Sequence, residues 1–129
     1  MCDWESLRTH LASRYRVHRD RGDALSICVD RPRGARLIVV AQRMDSGDEH
    51  LELSTPVAEI EQIDARTCLE WNARRVVGAL GLADDTVYYK RTFLLRALDV
   101  ASLDDAISYV AAWGEGIETA IVDSGGQPL

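Results

Sequence analysis

Catalysis in this chain would have to start from few residues. The densest group of ligand-type side chains is Asp48, Glu49, His50 and Glu52. In an extended strand His50 and Glu52 share a face, which supplies two ligands; catalytic metal sites use three protein ligands and structural sites four. His10 and His18 complete no metal spacing with it. The pairs Asp84-Asp85 and Asp104-Asp105 fit a turn and a helix start better than acid–base work. No nucleophile stands in a recognisable setting. GxSxG is absent, as are the phosphate-cradling patterns GxGxxG and GxxxxGK[ST]. Cys2, Cys28 and Cys68 are odd in number and widely spaced, without CxxC, so a disulfide framework is not expected. Cys28 and Cys68 read as small buried hydrophobes. The expectation is a protein that is not an enzyme, with no metal and no cofactor.

Composition narrows the class further. The 129 residues are 47% hydrophobic and 28% charged, ordinary proportions for one soluble domain with one core. No apolar run approaches the ~20 residues of a membrane span. The opening MCDWESLRTH has no apolar signal region, so the expected compartment is the cytoplasm. Net charge is −6, laid out in blocks. Residues 1–36 hold eight Arg against five acids, and residues 99–129 hold six acids and no base. The acids Asp20, Asp23 and Asp30 interleave the basic block, and no aromatic platform accompanies it, so a nucleic-acid partner is not expected.

The elements that would position any site are clear in outline. Residues 3–16 predict a helix capped by Asp3, with Trp4, Leu7, Leu11 and Tyr15 on one stripe. Residues 16–20 predict a short edge strand. Residues 24–30, 35–43 and 49–57 predict three strands joined by turns at Arg31-Pro32-Arg33-Gly34 and Asp45-Ser46-Gly47-Asp48. The middle strand is apolar on both faces: Leu37, Val39 and Ala41 on one, Ile38 and Val40 on the other. One of those faces is then free to act as a docking surface. Pro56 marks a strand edge or end.

Residues 64–80 predict a second helix, capped by Asp64 and stopped by Gly81, with Leu69, Ala73, Val76, Val77 and Leu80 as its buried stripe. Trp71 falls about 160° from the centre of that stripe, so it is expected on the outer face beside Arg74 and Arg75. Trp and Arg are enriched in subunit interfaces, which makes these three residues a candidate partner surface. After a turn at Asp84-Asp85, residues 86–96 predict a long strand with Val87, Tyr89, Phe93 and Leu95 on one side. Residues 102–122 predict a last helix opened by a Ser102/Asp105 box, its stripe running Leu103, Ile107, Val110, Gly114, Ile117 and Ile121. Residues 122–129 read as a solvated tail. The whole is expected as one domain: an α+β fold of α-βββ-α-ββ-α order, its helices packed on a single antiparallel sheet.

This order, the small size and the acidic terminal helix resemble the type III secretion chaperone-like fold, the group that includes CesT-type chaperones and YbjN-like proteins. The local likeness is greatest over residues 72–110, where NARRVVGALGL leads through a turn to TVYYKRTFLL and then to the helix SLDDAISYV. The resemblance carries no catalytic residue. It implies a homodimeric chaperone that holds a segment of a client protein on apolar patches and sheet edges. Ile38 and Val40, or the opposite pair Leu37 and Val39, would line such a patch. Two other readings stand beside it: a regulatory or immunity-type accessory protein that binds one folded partner, and a small-ligand-binding domain.

Overall fold

The computed structural model describes residues 3–129. One six-stranded antiparallel sheet and three helices make up the fold, an α+β arrangement. Helix α1 spans Trp4–Arg14. The Asp3 carboxylate accepts from the Ser6 N–H at 2.8 Å and caps it, as its acidic start suggests. Strands β1 (Arg16–Asp20), β2 (Ala24–Val29), β3 (Arg36–Asp45) and β4 (Asp48–Glu59) follow as a meander. Ser46 and Gly47, both at positive φ, join β3 to β4 in a two-residue hairpin of the type that matches strand twist. Helix α2 spans Ala65–Ala73. Strands β5 (Ala79–Ala83) and β6 (Thr86–Leu94) and helix α3 (Val100–Ser124) complete the chain. Because β6 inserts beside β4, the strand order is β1-β2-β3-β4-β6-β5.

All three helices contribute to one core, built on one face of the sheet. Leu25, Ile27, Ile38, Val40, Leu51, Leu53, Val87 and Tyr89 supply that face, and Trp4, Leu7, Leu11, Trp71, Leu103, Ile107 and Ile117 cover it. Alternation along the strands explains the division: period two sends every second side chain to the helices. Gly114 sits where α3 crosses β4 most closely. A Cβ there would overlap the Thr55 methyl, so the residue's smallness sets the distance between helix and sheet.

The basic first third and the acidic last helix meet in space. Arg31 pairs with Glu115 at 3.4 Å, Arg33 donates to the Thr119 hydroxyl at 3.0 Å, and Arg36 pairs with Glu118. Arg36 also donates to the Thr55 hydroxyl and the Pro56 carbonyl, at 3.0 and 2.9 Å. At the other end of α3, His10 Nε2 lies 3.0 and 3.1 Å from the two oxygens of Asp104, which also accepts from the Tyr15 hydroxyl at 2.9 Å.

Several expectations change. The second helix stops at Ala73 and not near residue 80, and the expected stripe comes apart: Leu69 is 69% exposed, Val76 fully exposed, and Leu80 belongs to β5. Trp71 takes the buried position, because a large ring removes more apolar surface from water than Leu69. Gly78, at φ +76, lets the chain turn into β5 directly under the Tyr89 ring. Gly81 lies inside that strand and stops no helix. Pro56 sits in a central strand, at a β-bulge between Pro56 and Ala58, a place where a missing N–H is tolerated. The last helix begins earlier: its cap is Asp99, which accepts from the Ser102 N–H at 2.8 Å. Cys28 and Cys68 are half-buried free thiols, less enclosed than expected, and Cys2 lies outside the described residues.

The tail expected to be solvated is docked. Gly126 and Pro128 are buried. The Leu129 carbonyl accepts from Trp71 Nε1 at 3.0 Å and from Arg75 at 2.6 Å. Gly126 passes close over the Gln62 carbonyl, where a Cβ would stand 2.9 Å away.

Candidate protein-binding surface

Among the described residues no helix covers the second face of the sheet. Strand register places its side chains in rows that run across the strands. One row is Arg19, Ser26, Val39, Ser54, Lys90 and Ala79. A neighbouring row brings Cys28 beside Leu37, and Pro56 beside Tyr88 and Gly81. Small residues along these rows leave a concavity of about 670 Å³ whose floor includes Leu37, Val39 and Tyr88. All three are half-buried, so apolar surface stays open to solvent.

The rim is cationic. Arg19, Arg21, Arg43 and Lys90 line the concavity with a single carboxylate, Glu52. Glu52 pairs with Arg43 at 3.4 Å. Among the described residues no carboxylate pairs with Arg19, Arg21 or Lys90. An excess of positive charge therefore lies on one face of a chain whose total is −6.

The two edges of the sheet differ. Strand β1 is short, exposed at every residue and rich in charge, which protects an edge against pairing. Strand β5 is apolar and uncharged, but the Asn72 side chain occupies its edge. The Asn72 amide donates to the Leu80 carbonyl at 3.0 Å and accepts from the Leu80 N–H at 2.7 Å. It satisfies the two main-chain groups that an added strand would need at that position.

The residues read from sequence as a partner surface fall elsewhere. Ile38 and Val40 are fully buried against the helices. The alternative pair, Leu37 and Val39, lies on the open face. Trp71 is fully buried, a correction to its expected outward position. The Arg75 guanidinium lies over the Trp71 ring at 4.9 Å and near Trp113 at 5.8 Å, so this Trp–Arg pair serves the chain's own tail. Only Arg74, the cap residue of α2, is exposed. His50 and Glu52 do share the open face, with Glu52 held by Arg43. Among the described residues no group of three or more His, Cys, Asp or Glu is placed to hold a metal ion, and no described helix is long and apolar enough to cross a membrane.

Sequence reasoning missed Lys90, Tyr88 and Asn72 as contributors. Strand parity was the usable signal for the first two. Nothing local marks Asn72, because its partner is main chain eight residues on.

No family model matches this sequence, and no curated protein does. Among solved structures, a chain of one described as the HopA1–SchA chaperone–effector complex is similar, with a TM-score of 0.64 at 14% identity over 93% of this chain and all of that one. At that identity the likeness is one of fold, and it extends across nearly the whole domain.

Proposed function

We propose that the protein is a non-enzymatic chaperone-like binder that holds a segment of a client protein on the open face of its sheet, and that it does so in the cytoplasm as a homodimer. The observation that carries this reading is the uncovered concavity floored by Leu37, Val39 and Tyr88. A sheet face with half-buried apolar side chains and no described helix over it leaves room for an occupant. The shared fold with a chain of a chaperone–effector complex supports the same reading. For the homodimer, exposed Leu69, Val76, Val77 and Leu82 on α2, the following loop and β5 supply apolar surface beside Arg74. Ile38, Val40 and Trp71 act behind these surfaces, as the packing that holds them in shape.

The test uses a fluorescently labelled protein that has been reduced and alkylated so that it stays unfolded. Anisotropy should show saturable binding to the unfolded probe and none to the same protein folded. Val39→Asp, which places a charge on the concave floor, should weaken binding at least tenfold with unchanged circular dichroism. Absence of binding to the unfolded probe would sink the reading. Binding to a folded partner alone would favour the regulatory or immunity-type alternative. A mass measurement by light scattering, with Arg74→Glu as the variant, tests the dimer separately.

A further inference from the structure

Resting on that reading, we infer that the segment held on the open face is acidic, and that it crosses the strands instead of adding to an edge. Crossing follows from the edges. Asn72 blocks the β5 edge at Leu80, and β1 is short and charged, so strand addition has no free apolar template. Acidity follows from the rim. Arg19, Arg21 and Lys90 have no carboxylate partner among the described residues, and the three stand together around one concavity that holds a single carboxylate. A partly enclosed apolar floor lowers the local dielectric and strengthens attraction to a carboxylate laid over it.

Register adds a spacing. Arg19 on β1 and Lys90 on β6 lie in one row, separated by Ser26, Val39 and Ser54 on the strands between them. Four inter-strand steps of ~4.8 Å place them ~19 Å apart, the length of about six extended residues. An even interval keeps both carboxylates on the same side of the segment. The matching segment therefore carries acids about six residues apart, with apolar side chains between them for Val39 and its neighbours. A single-stranded nucleic acid would also bring negative charge. However, Glu52 lines the concavity, and Tyr88 and His18 are the only rings among its lining residues, too few to stack successive bases.

The experiment titrates the full chain into three labelled peptides of about 12 residues, long enough to cross the sheet. They share one apolar pattern and carry Glu, Gln or Lys at the two positions six apart. The Glu peptide should bind at least tenfold more tightly than the Gln peptide, and the Lys peptide should not bind. Raising salt from about 0.05 M to about 0.3 M should reduce that preference severalfold, because the screening length falls from about 14 Å to about 6 Å around charges on an open face. The double variant Arg19→Glu/Lys90→Glu should reverse the preference, so that the Lys peptide binds more tightly than the Glu peptide. Equal binding of all three peptides, with the unfolded probe still bound, would overturn the acidic assignment and leave the chaperone-like reading standing. Loss of both would overturn the two together. Tighter binding of an oligothymidylate than of the Glu peptide would overturn the protein segment as occupant.

Discussion

The Trp71 indole meets the Tyr89 ring edge-on, with centroids 6.1 Å apart and planes at 89°. This contact ties the short second helix to a strand one place from the sheet's end. Tyr89 in turn stacks near Trp113 of the last helix, at 6.4 Å, so one aromatic cluster joins sheet, α2 and α3. The tail closes over it through the Leu129 carbonyl.

Removing that indole should therefore act on the whole domain. Trp71→Ala is expected to lose about 3–5 kcal/mol, the range for a fully buried large aromatic side chain. Urea unfolding followed by far-UV circular dichroism measures it. A change under ~0.5 kcal/mol, ordinary for a surface substitution, would contradict the buried position.

Gly114 and Thr55 form a close pair that a double-mutant cycle can read. Gly114→Ala returns ~1 kcal/mol of helix propensity. It also presses a methyl against Thr55, and overpacking of this kind costs ~1–3 kcal/mol. The expected net effect is a loss. Thr55→Ser keeps the hydroxyl that bonds Leu37 and Arg36 but deletes the methyl, so the double variant should recover most of it. Strict additivity of the two single changes would show that they do not touch.

Asn72→Ala should do two things at once. It leaves the Leu80 N–H and carbonyl without their partner, a loss of ~1–3 kcal/mol. It also uncovers an apolar strand edge, so self-association should rise with protein concentration in sedimentation velocity runs. Asn72→Asp retains only the acceptor and should fall between the two. Unchanged sedimentation in Asn72→Ala would mean that the edge is protected in another way.

Acid should weaken the fold from the helix starts. Main-chain N–H groups at Ser6, Thr67 and Ser102 hold the carboxyls of Asp3, Asp64 and Asp99 below the ordinary value of 3.8. A carboxyl depressed by folding contributes stability above its unfolded pKa and loses it as pH falls through the folded one. Thermal stability should thus decline below about pH 4, and Asp99→Asn should flatten part of that decline.

At the alkaline end the sign reverses. Burial, chiefly, pushes the phenols of Tyr15 and Tyr89 up to about 12, with Asp104 adding to the first and Tyr109 to the second. The folded state holds these protons longer than the unfolded chain. Stability from both groups is complete below about pH 10 and disappears as pH rises through about 12. Absorbance at the phenolate band should show a late component that Tyr15→Phe and Tyr89→Phe each reduce.

Much of this architecture was written locally. The cap at Asp3, the stripe Trp4–Leu7–Leu11, the three alternating strands and the Ser46-Gly47 turn each depend on residues within a few positions of one another. Such features can be read from sequence because side-chain period and turn chemistry are short-range properties. The α+β class followed from three amphipathic helices that all needed a sheet to cover. The Leu37/Val39 face was legible as one of two possibilities, because a strand with apolar side chains in both directions does not reveal which side meets the helices.

Only tertiary structure chose between them. Ile38 and Val40 went to the core because they lie in register with Ile27, Leu25 and Leu53, which are themselves buried under the helices. The error at Trp71 has the same origin. Over the expected helix 64–80 the pattern gave Leu69 and Val76 the inner face, but the helix ends at Ala73, and a Trp that can reach Tyr89, Arg75 and the Leu129 carbonyl gains more by turning inward. The cationic rim was hidden for a further reason. Arg19, Arg43 and Lys90 are distant in sequence, and only the β1-β2-β3-β4-β6-β5 order brings their charges over one concavity.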